Sequence, residues 1–413
     1  MYYGKNLPEK EFSGGEYPVY GANGIIGYHD QYTHESQMLL VSCRGENSGV
    51  INLSPPKAFI TNNSIICELL TGSIEKTYLY YLLKSQRREK LTSGSAQPQI
   101  TTFDLGRFKL PSIPENNEQK AIAGILSKVD EAIEAVENSI KAAERLKKSL
   151  MQNLLTGKLK PDGTWRREDE FFVDEKFGKV PKGWHIIKGN KITTKITKGQ
   201  SPKWQGFEYQ STGILFVTSE NVKDGYIDIS DPKYLPVEFN EKIKNSQLKN
   251  GDVLINIVGA SIGRCAVYNL NGQLANTNQA VCVFRTNEDN DSNFIAYYLQ
   301  LEKTQRRLLG SQVETARANL SLGDFRKFKF IIPVEKDEQF LISDQMKKVI
   351  SLIHSKKEKI QILKKLKKSL MQNLLTGKVR VDVEKINKIL EEVQGNRIKI
   401  MSSHWLQKWL FRQ

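Results

Sequence analysis

LKKSLMQNLLTGK, residues Leu146 to Lys158, returns letter for letter as Leu366 to Lys378, displaced by 220 residues. Chance does not produce thirteen matched letters in a chain of this length, so an internal duplication organises the whole sequence. At the same displacement Phe108-Lys109 pairs with Phe328-Lys329, and Glu118-Gln119 with Glu338-Gln339. The echo therefore covers about fifty residues, one copy mid-chain and one near the end.

Each copy has the period of a helix. In the first, Ile122, Leu126, Val129, Ile133, Val136, Ile140, Ala143, Leu146, Leu150 and Leu154 recur in steps of three and four, which keeps one apolar stripe on one face. The second carries Ile342, Met346, Val349, Ile353, Ile360, Leu363, Leu366, Leu370 and Leu374 in the same register, with Lys356 where the first has Val136. Pro114 and Pro333 suit the starts, Gly157 and Gly377 the stops. A helix of about forty residues would be roughly 60 Å long and needs a partner along its length. The obvious partner is its twin, so the expectation is an intramolecular, antiparallel coiled coil.

The flanking segments have another texture. From Val180 to Pro333, short β-branched or alternating runs such as Gly213 to Thr218 and Asp252 to Val258 are separated by Asp224-Gly225, Asn250-Gly251 and Asn271-Gly272 turns. Met1 to Ile113 reads the same way: Met38 to Ser42 echoes Asp252 to Ile257, Asn62 to Leu69 echoes Thr277 to Phe284, and TYLYYLL from Thr77 echoes FIAYYLQ from Phe294. The predicted architecture is α+β, two sheet-rich domains separated by two long helices, with a pseudo-twofold internal repeat. Its boundaries are a first domain at 1–112, a central helix and linker at 113–160, a second domain at 161–333, a second helix at 334–382 and an atypical tail at 383–413.

Composition narrows the function. With 61 basic and 46 acidic residues the net charge is +15 and the pI near 9.4, which favours a polyanionic partner. Residues 141–160 and 356–380 supply thirteen of those charges. No run approaches a spanning helix, and Met1 to Lys10 lacks the apolar core of a signal peptide, so a cytoplasmic protein is expected. Cys43, Cys67, Cys265 and Cys282 lie far apart, without zinc-ligand spacing, and read as reduced core thiols.

Catalytic motifs fail one by one. Gly259 to Gly263 (GASIG) fits the nucleophile elbow of serine hydrolases, with Ser261 as nucleophile, yet the elbow requires a helix next and Arg264 to Asn269 looks like a strand. A turn with both glycines in unusual dihedrals is the reading adopted. Ser54-Pro55-Pro56-Lys57 superficially matches the loop of amino-methyltransferases, but lysine stands where a stacking ring belongs, so it too reads as a turn. Neither a P-loop nor an HExxH motif occurs. No catalytic residue, cofactor-binding residue or metal ligand is assigned.

Binding of a polyanion remains. Asn and Gln engage adenine edges, Arg engages guanine, and Lys, Ser, Thr and backbone amides hold phosphates. The loops offer Arg44, Asn47, Asn62, Asn63, Ser64, Gln97 and Gln99 in the first domain. In the second they offer Lys198, Lys203, Trp204, Asn221, Arg264, Asn278, Gln279, Gln312, Arg317 and Asn319.

The repeated LKKSLMQNLLTGK helices, Pro181-Lys182-Gly183-Trp184 leading into a domain, Gly259 to Arg264 (GASIGR) and Gly21 to Tyr28 (GANGIIGY) together make residues 5 to 382 resemble the specificity subunit of type I restriction-modification enzymes. The resemblance implies two target recognition domains, each reading half of a split duplex DNA site, with the paired helices as spacer. It also implies docking of two modification subunits that carry S-adenosylmethionine and methylate adenine, and of restriction subunits that cleave with ATP and Mg. This chain would contribute recognition alone and hold no cofactor.

Two features depart from that pattern. Only 37 residues precede Met38, against about 70 from Val180 to Asp252, so the first domain reads as shortened at its N-terminus or as having its start upstream. The tail, with Trp405, Leu406, Trp409, Leu410 and Phe411, has no twin and is read as docking on a partner or fraying rather than lying on a membrane. A non-enzymatic coiled-coil scaffold would explain the helices but not two domains with polar loops, and a serine hydrolase would need a reactive Ser261.

Overall fold

The structure, a computed structural model, describes residues 1–86, 99–270, 272–310 and 319–402, with the side chains of its last helix described to Glu392. Asn271, Trp405, Leu406, Trp409, Leu410 and Phe411 lie outside the described residues. The chain forms two compact units, the first from 1–138 and 357–413, the second from 139–356. The two long helices, Asn116–Leu154 and Lys336–Leu374, are 39 residues each, and each gives one stretch to either unit.

The first unit contains β1 (Tyr2–Tyr3), β2 (Tyr17–Gly21), β3 (Gly24–His29), β4 (Leu39–Ser42), β5 (Ile51–Leu53), β6 (Phe59–Ile60) and β7 (Ser64–Cys67). One antiparallel sheet has the order β1-β7-β4-β5, and a second has β3-β2-β6 with β2 and β6 parallel. Alternation divides the inner strands between two cores. Leu39, Val41, Ile65 and Cys67 face the helix Lys76–Ser85, through Tyr78 and Leu82, and the long helices. Leu40 and Ile66 face Tyr20 and Ile60 of the second sheet.

The second unit contains β8 (Phe171–Asp174), β9 (Gly178–Pro181), β10 (Trp184–Lys188), β11 (Thr193–Lys198), β12 (Ile214–Val217), β13 (Tyr234–Leu235), β14 (Val253–Asn256), β15 (Cys265–Val267), β16 (Ala275–Thr277), β17 (Val281–Thr286) and β18 (Lys329–Pro333). The order β11-β17-β14-β15 repeats the first unit's sheet, and β13-β12-β16 repeats its partner, including the parallel pair. Val253, Ile255, Cys282 and Phe284 face the helices, while Leu254, Val281 and Val283 face Leu215 and Val217. Two further pairs, β8 with β9 and β10 with β18, are seen only here among the described residues. All four cysteines are buried, as expected of core thiols.

The helices pair antiparallel within each unit. In the first, Ile122 and Leu126 share a core with Leu374 and Leu375, and Lys364 and Lys367 reach Glu137 (3.1 Å) and Asp130 (2.5 Å). In the second, Ile342 and Met346 share a core with Leu154 and Leu155, the same contact with the copies exchanged. Ile133 and Ile360 in the first unit and Ile140 and Ile353 in the second are also buried, each burial stabilising by roughly 1.5–3 kcal/mol. Gly157 (φ 68°) and Gly377 (φ 69°) end both helices in the left-handed conformation expected of a glycine stop.

One expectation needs correction. Leu146 and Leu366, placed in the seam by sequence, are 49% and 46% exposed. The half-buried positions on that turn are Lys147 and Lys367, one residue later. Counting apolar letters overlooks lysine, whose long hydrocarbon stem lets it take a half-buried position.

Candidate nucleic-acid interface

Each four-stranded sheet ends in a loop cluster. In the first unit β4 finishes at Ser42 opposite the start of β7 at Ser64, so the loop at 43–50 and the turn at 61–63 meet. Cys43 N donates to Asn63 O at 3.0 Å, Asn62 N donates to Lys5 O at 3.0 Å, and Arg44 bridges to Gln99. In the second unit β14 finishes at Asn256 opposite Val281, and β11 finishes at Lys198 opposite Cys282. Gly199 N donates to Asn278 O at 3.1 Å, which lays the loop carrying Lys203 and Trp204 over the turn carrying Asn278 and Gln279. Val258 bridges to Asn319, the twin of the Arg44–Gln99 bridge.

The loop between the inner strand and its outer neighbour is built twice. Gly45 and Gly49 (φ 70° and 83°) match Gly259 and Gly263 (φ 79° and 83°). Gly49 N donates to Ser42 O, and Gly263 N to Asn256 O, both at 2.8 Å. Glycine is required at those corners because a side chain there would strain the positive φ. Ser261 lies within this turn and accepts a hydrogen bond from Asn256 Nδ2 at 3.0 Å; the strand β15 follows, not a helix. That geometry removes the nucleophile-elbow reading.

The sequence candidates do not all present side chains outward. Arg44, Gln99, Lys198, Lys203, Arg264 and Gln279 are exposed, and Trp204 is 80% exposed on a turn at Lys203–Gln205. Arg264 faces Asp224 at 3.9 Å, a loose pair that leaves its fork accessible. Asn47 and Asn63 are half-buried, and Asn62 donates its amide to Asn6 Oδ1 at 3.4 Å. Asn278 uses Oδ1 to accept from Ala280 N at 3.1 Å.

Ser64 and Asn221 need correction as contact residues. Ser64 is buried and donates to Gly21 O at 3.3 Å. Asn221 accepts from Thr218 N and Oγ1 at 2.8 and 2.9 Å and donates to Asp228 O at 2.9 Å, so its side chain shapes the loop. Gln97, Gln312 and Arg317 lie outside the described residues.

Other residues of the clusters were missed. The Gly21–Gly24 hairpin is tied in when the Ser42 hydroxyl donates to Ala22 O, which sets Asn23 beside Asn52, Lys84 and Gln86 around a cavity of about 350 Å³. The Asn23-Gly24 turn was the available signal. In the second unit Gly225 N donates to Cys265 O at 3.0 Å, fastening the turn that carries Lys223 and exposed Tyr226. The Asp224-Gly225 pair marked that turn but not its partner. Within each unit the exposed groups are amides and cations, joined in the second by the exposed indole of Trp204, a set suited to recognition by hydrogen bonding and charge.

The chain matches the family model described as Type I restriction modification DNA specificity domain over residues 4–145 and 183–365. It is 26% identical over 357 residues to the Type I restriction enzyme MjaVIII specificity subunit of Methanocaldococcus jannaschii, covering 84% of this chain and 80% of the relative. The putative type I restriction enzyme MjaX specificity subunit of the same organism is 28% identical over 320 residues, 75% and 69% of the two chains. In fold, the chain is similar to the crystal structure of a Type-I restriction-modification system S subunit from M. genitalium, with a TM-score of 0.62 at 17% identity, covering 90% of this chain and 92% of that one. The matched segments take in both loop clusters and most of both long helices, and the chain belongs to the family of type I restriction-modification DNA specificity subunits.

Proposed function

We propose that this specificity subunit reads a split duplex target, one half through each loop cluster, and directs adenine methylation and ATP-dependent cleavage by partner subunits. The carrying observation is the twice-built cluster: the same sheet end and the same two-glycine turn, furnished with Arg44 and Gln99 in one unit and Lys203, Trp204 and Arg264 in the other. A shared frame with different side chains is what two half-sites of different sequence require. The proposed contact set is the exposed group named above, with Gln97, Gln312 and Arg317 retained as members; the proposed domains keep their sequence boundaries, 1–112 and 161–333 with a helix after each.

In this reading the chain is the non-catalytic member of a cytoplasmic complex. Two modification subunits bring S-adenosylmethionine, and restriction subunits bring the ATP and Mg chemistry. The helices set the unread gap, since duplex DNA advances about 34 Å per turn and two readers must keep phase. Deleting one heptad from 122–154 and the matching heptad from 342–374 is expected to shorten the unread spacer while both half-sites stay the same. Single-molecule methylation sequencing reads this directly, and an unchanged spacer would contradict it.

A further inference from the structure

One short turn is built in both units and furnished oppositely. It follows β1 in the first unit and β11 in the second, and each strand leaves its sheet through a glycine. A side chain at Gly4 would strike Ile60 O, and one at Gly199 would strike Thr277 O, so the chain passes both places only without one. Pro8 and Pro202 then open the turns Glu9–Glu11 and Lys203–Gln205. Their closing bonds match: Glu11 N donates to Pro8 O and Gln205 N to Pro202 O, both at 2.9 Å, and Phe12 N donates to Glu9 O at 3.1 Å as Gly206 N does to Lys203 O at 3.2 Å. The frame is kept while the side chains are exchanged. The first turn presents Glu9, Lys10 and Glu11, all exposed, and the second presents exposed Lys203 and Trp204.

Trp204 does not stand out for want of order around it. Phe207 N donates to Pro202 O at 3.0 Å, Lys242 Nζ donates to Gln205 O at 3.2 Å, and the Phe207 ring meets the buried Phe239 ring edge-on at 5.4 Å. The turn is thus pinned at its far end to the core and at its near end, through Gly199, to the turn that carries Asn278 and Gln279. Leaving an indole 80% exposed forgoes the burial that a structural tryptophan would have. Lys198 and Lys203, exposed beside it, suit a phosphate backbone, and the flat apolar surface that such a backbone brings with it is a base.

We propose that Trp204 inserts at a base step of the half-site read by the second unit, opening the stack and bending the duplex there; the inference rests on the function proposed above. A side chain wedged between base pairs unstacks them and kinks the helix, and steps differ in how easily they open. The second half-site is therefore selected partly by deformability, at a step where no base edge need be contacted. The first unit has no such wedge. Glu9 and Glu11 stand on the same turn and repel phosphates, so the first half-site is read with its stack closed.

The test uses the intact chain, co-expressed with its modification subunit, on a duplex carrying the target found by methylation sequencing. An adenine analogue that fluoresces when unstacked is placed at successive positions of both half-sites, and energy transfer between the duplex ends reads the bend. Wild type is compared with Trp204→Phe and with Trp204→Lys, which removes the ring and adds a charge, as Lys10 does in the first unit. Trp204 is exposed, so both variants keep the fold, with circular dichroism as the check. Wild type is expected to brighten the analogue several-fold at one step of the second half-site and at none of the first. Trp204→Lys should abolish the brightening, straighten the duplex and weaken binding about tenfold, while Trp204→Phe keeps most of all three. A lysine variant that binds and bends like wild type overturns the wedge and leaves the function standing. A loss confined to modification-subunit binding overturns it in favour of a protein contact. A wild-type complex that binds no duplex takes both readings down.

Discussion

Glu118 and Glu338 occupy twin positions at the starts of the two long helices, yet they are served by different parts of the chain. Glu338 accepts from Arg166 at 2.5 Å and from Trp184 Nε1 at 3.1 Å, both from the stretch between the helices. Glu118 accepts from Arg380 at 2.5 Å and from Val381 N at 3.3 Å, just beyond the second helix. Beside each of them sits a glutamine whose work has not diverged. Gln119 Oε1 accepts from Glu75 N at 2.8 Å and its amide donates to Pro114 O and Ser73 O. Gln339 Oε1 accepts from Asp291 N at 3.0 Å and its amide donates to Pro333 O and Asn290 Oδ1. Both amides are buried and fix the N-cap residue of a short helix to the long one. The duplication has kept letters where buried polar atoms allow no substitute, and has changed partners where a donor can come from elsewhere.

The largest expected effect belongs to a feature present in one unit alone. Arg285 donates to both oxygens of fully buried Asp252 at 2.6 and 2.8 Å, while the twin of Asp252 is Met38. Asp252→Ala strands the guanidinium and should cost about 3–5 kcal/mol. Hydrogen exchange should show β14 and β17 losing protection while β4 and β7 keep theirs; equal losses would erase the distinction between the units. Next come Gln119→Ala and Gln339→Ala, each expected to cost about 2 kcal/mol by leaving buried backbone groups unpaired. Exchange at Glu75 N should rise only in the first variant and at Asp291 N only in the second.

A smaller pair sharpens the divergence itself. Glu338→Ala removes the acceptor of Trp184, so tryptophan emission should shift red and stability fall by about 1–2 kcal/mol. Glu118→Ala should leave the emission where it was. The smallest effect is on pH dependence. Burial raises the thiol of Cys67 to about 11 and that of Cys265 to about 12. Below pH 9 both states are neutral and nothing changes; above it the unfolded thiol ionises first, so stability declines as pH rises toward the folded value. Denaturation between pH 8 and pH 10.5 should weaken less with pH in Cys265→Ala, and by a smaller margin in Cys67→Ala.

Much of the fold was legible because its signals are local. Three-and-four spacing marked the long helices, and Gly157 and Gly377 their ends; the alternating runs at Gly213 to Thr218 and Asp252 to Val258 became β12 and β14. The seam was misread at Leu146 and Leu366, which are exposed, because a lysine takes the half-buried position one residue later. The interface was legible by residue type but not by use. Nothing near Ser64 in sequence says that Gly21 O takes its hydroxyl, and nothing near Asn221 reveals that Asp228 O consumes its amide. Those partners are chosen by tertiary approach, and the same approach brought in Asn23 and Tyr226, whose turns the sequence marked by Asn-Gly and Asp-Gly without showing what they meet.

Modular reading is tested most directly by replacing residues 180–333 with the corresponding domain of another family member and sequencing methylated adenines across a genome at single-molecule resolution. One half of the target should change, with the other half and the spacer preserved. A target altered in both halves would contradict the account.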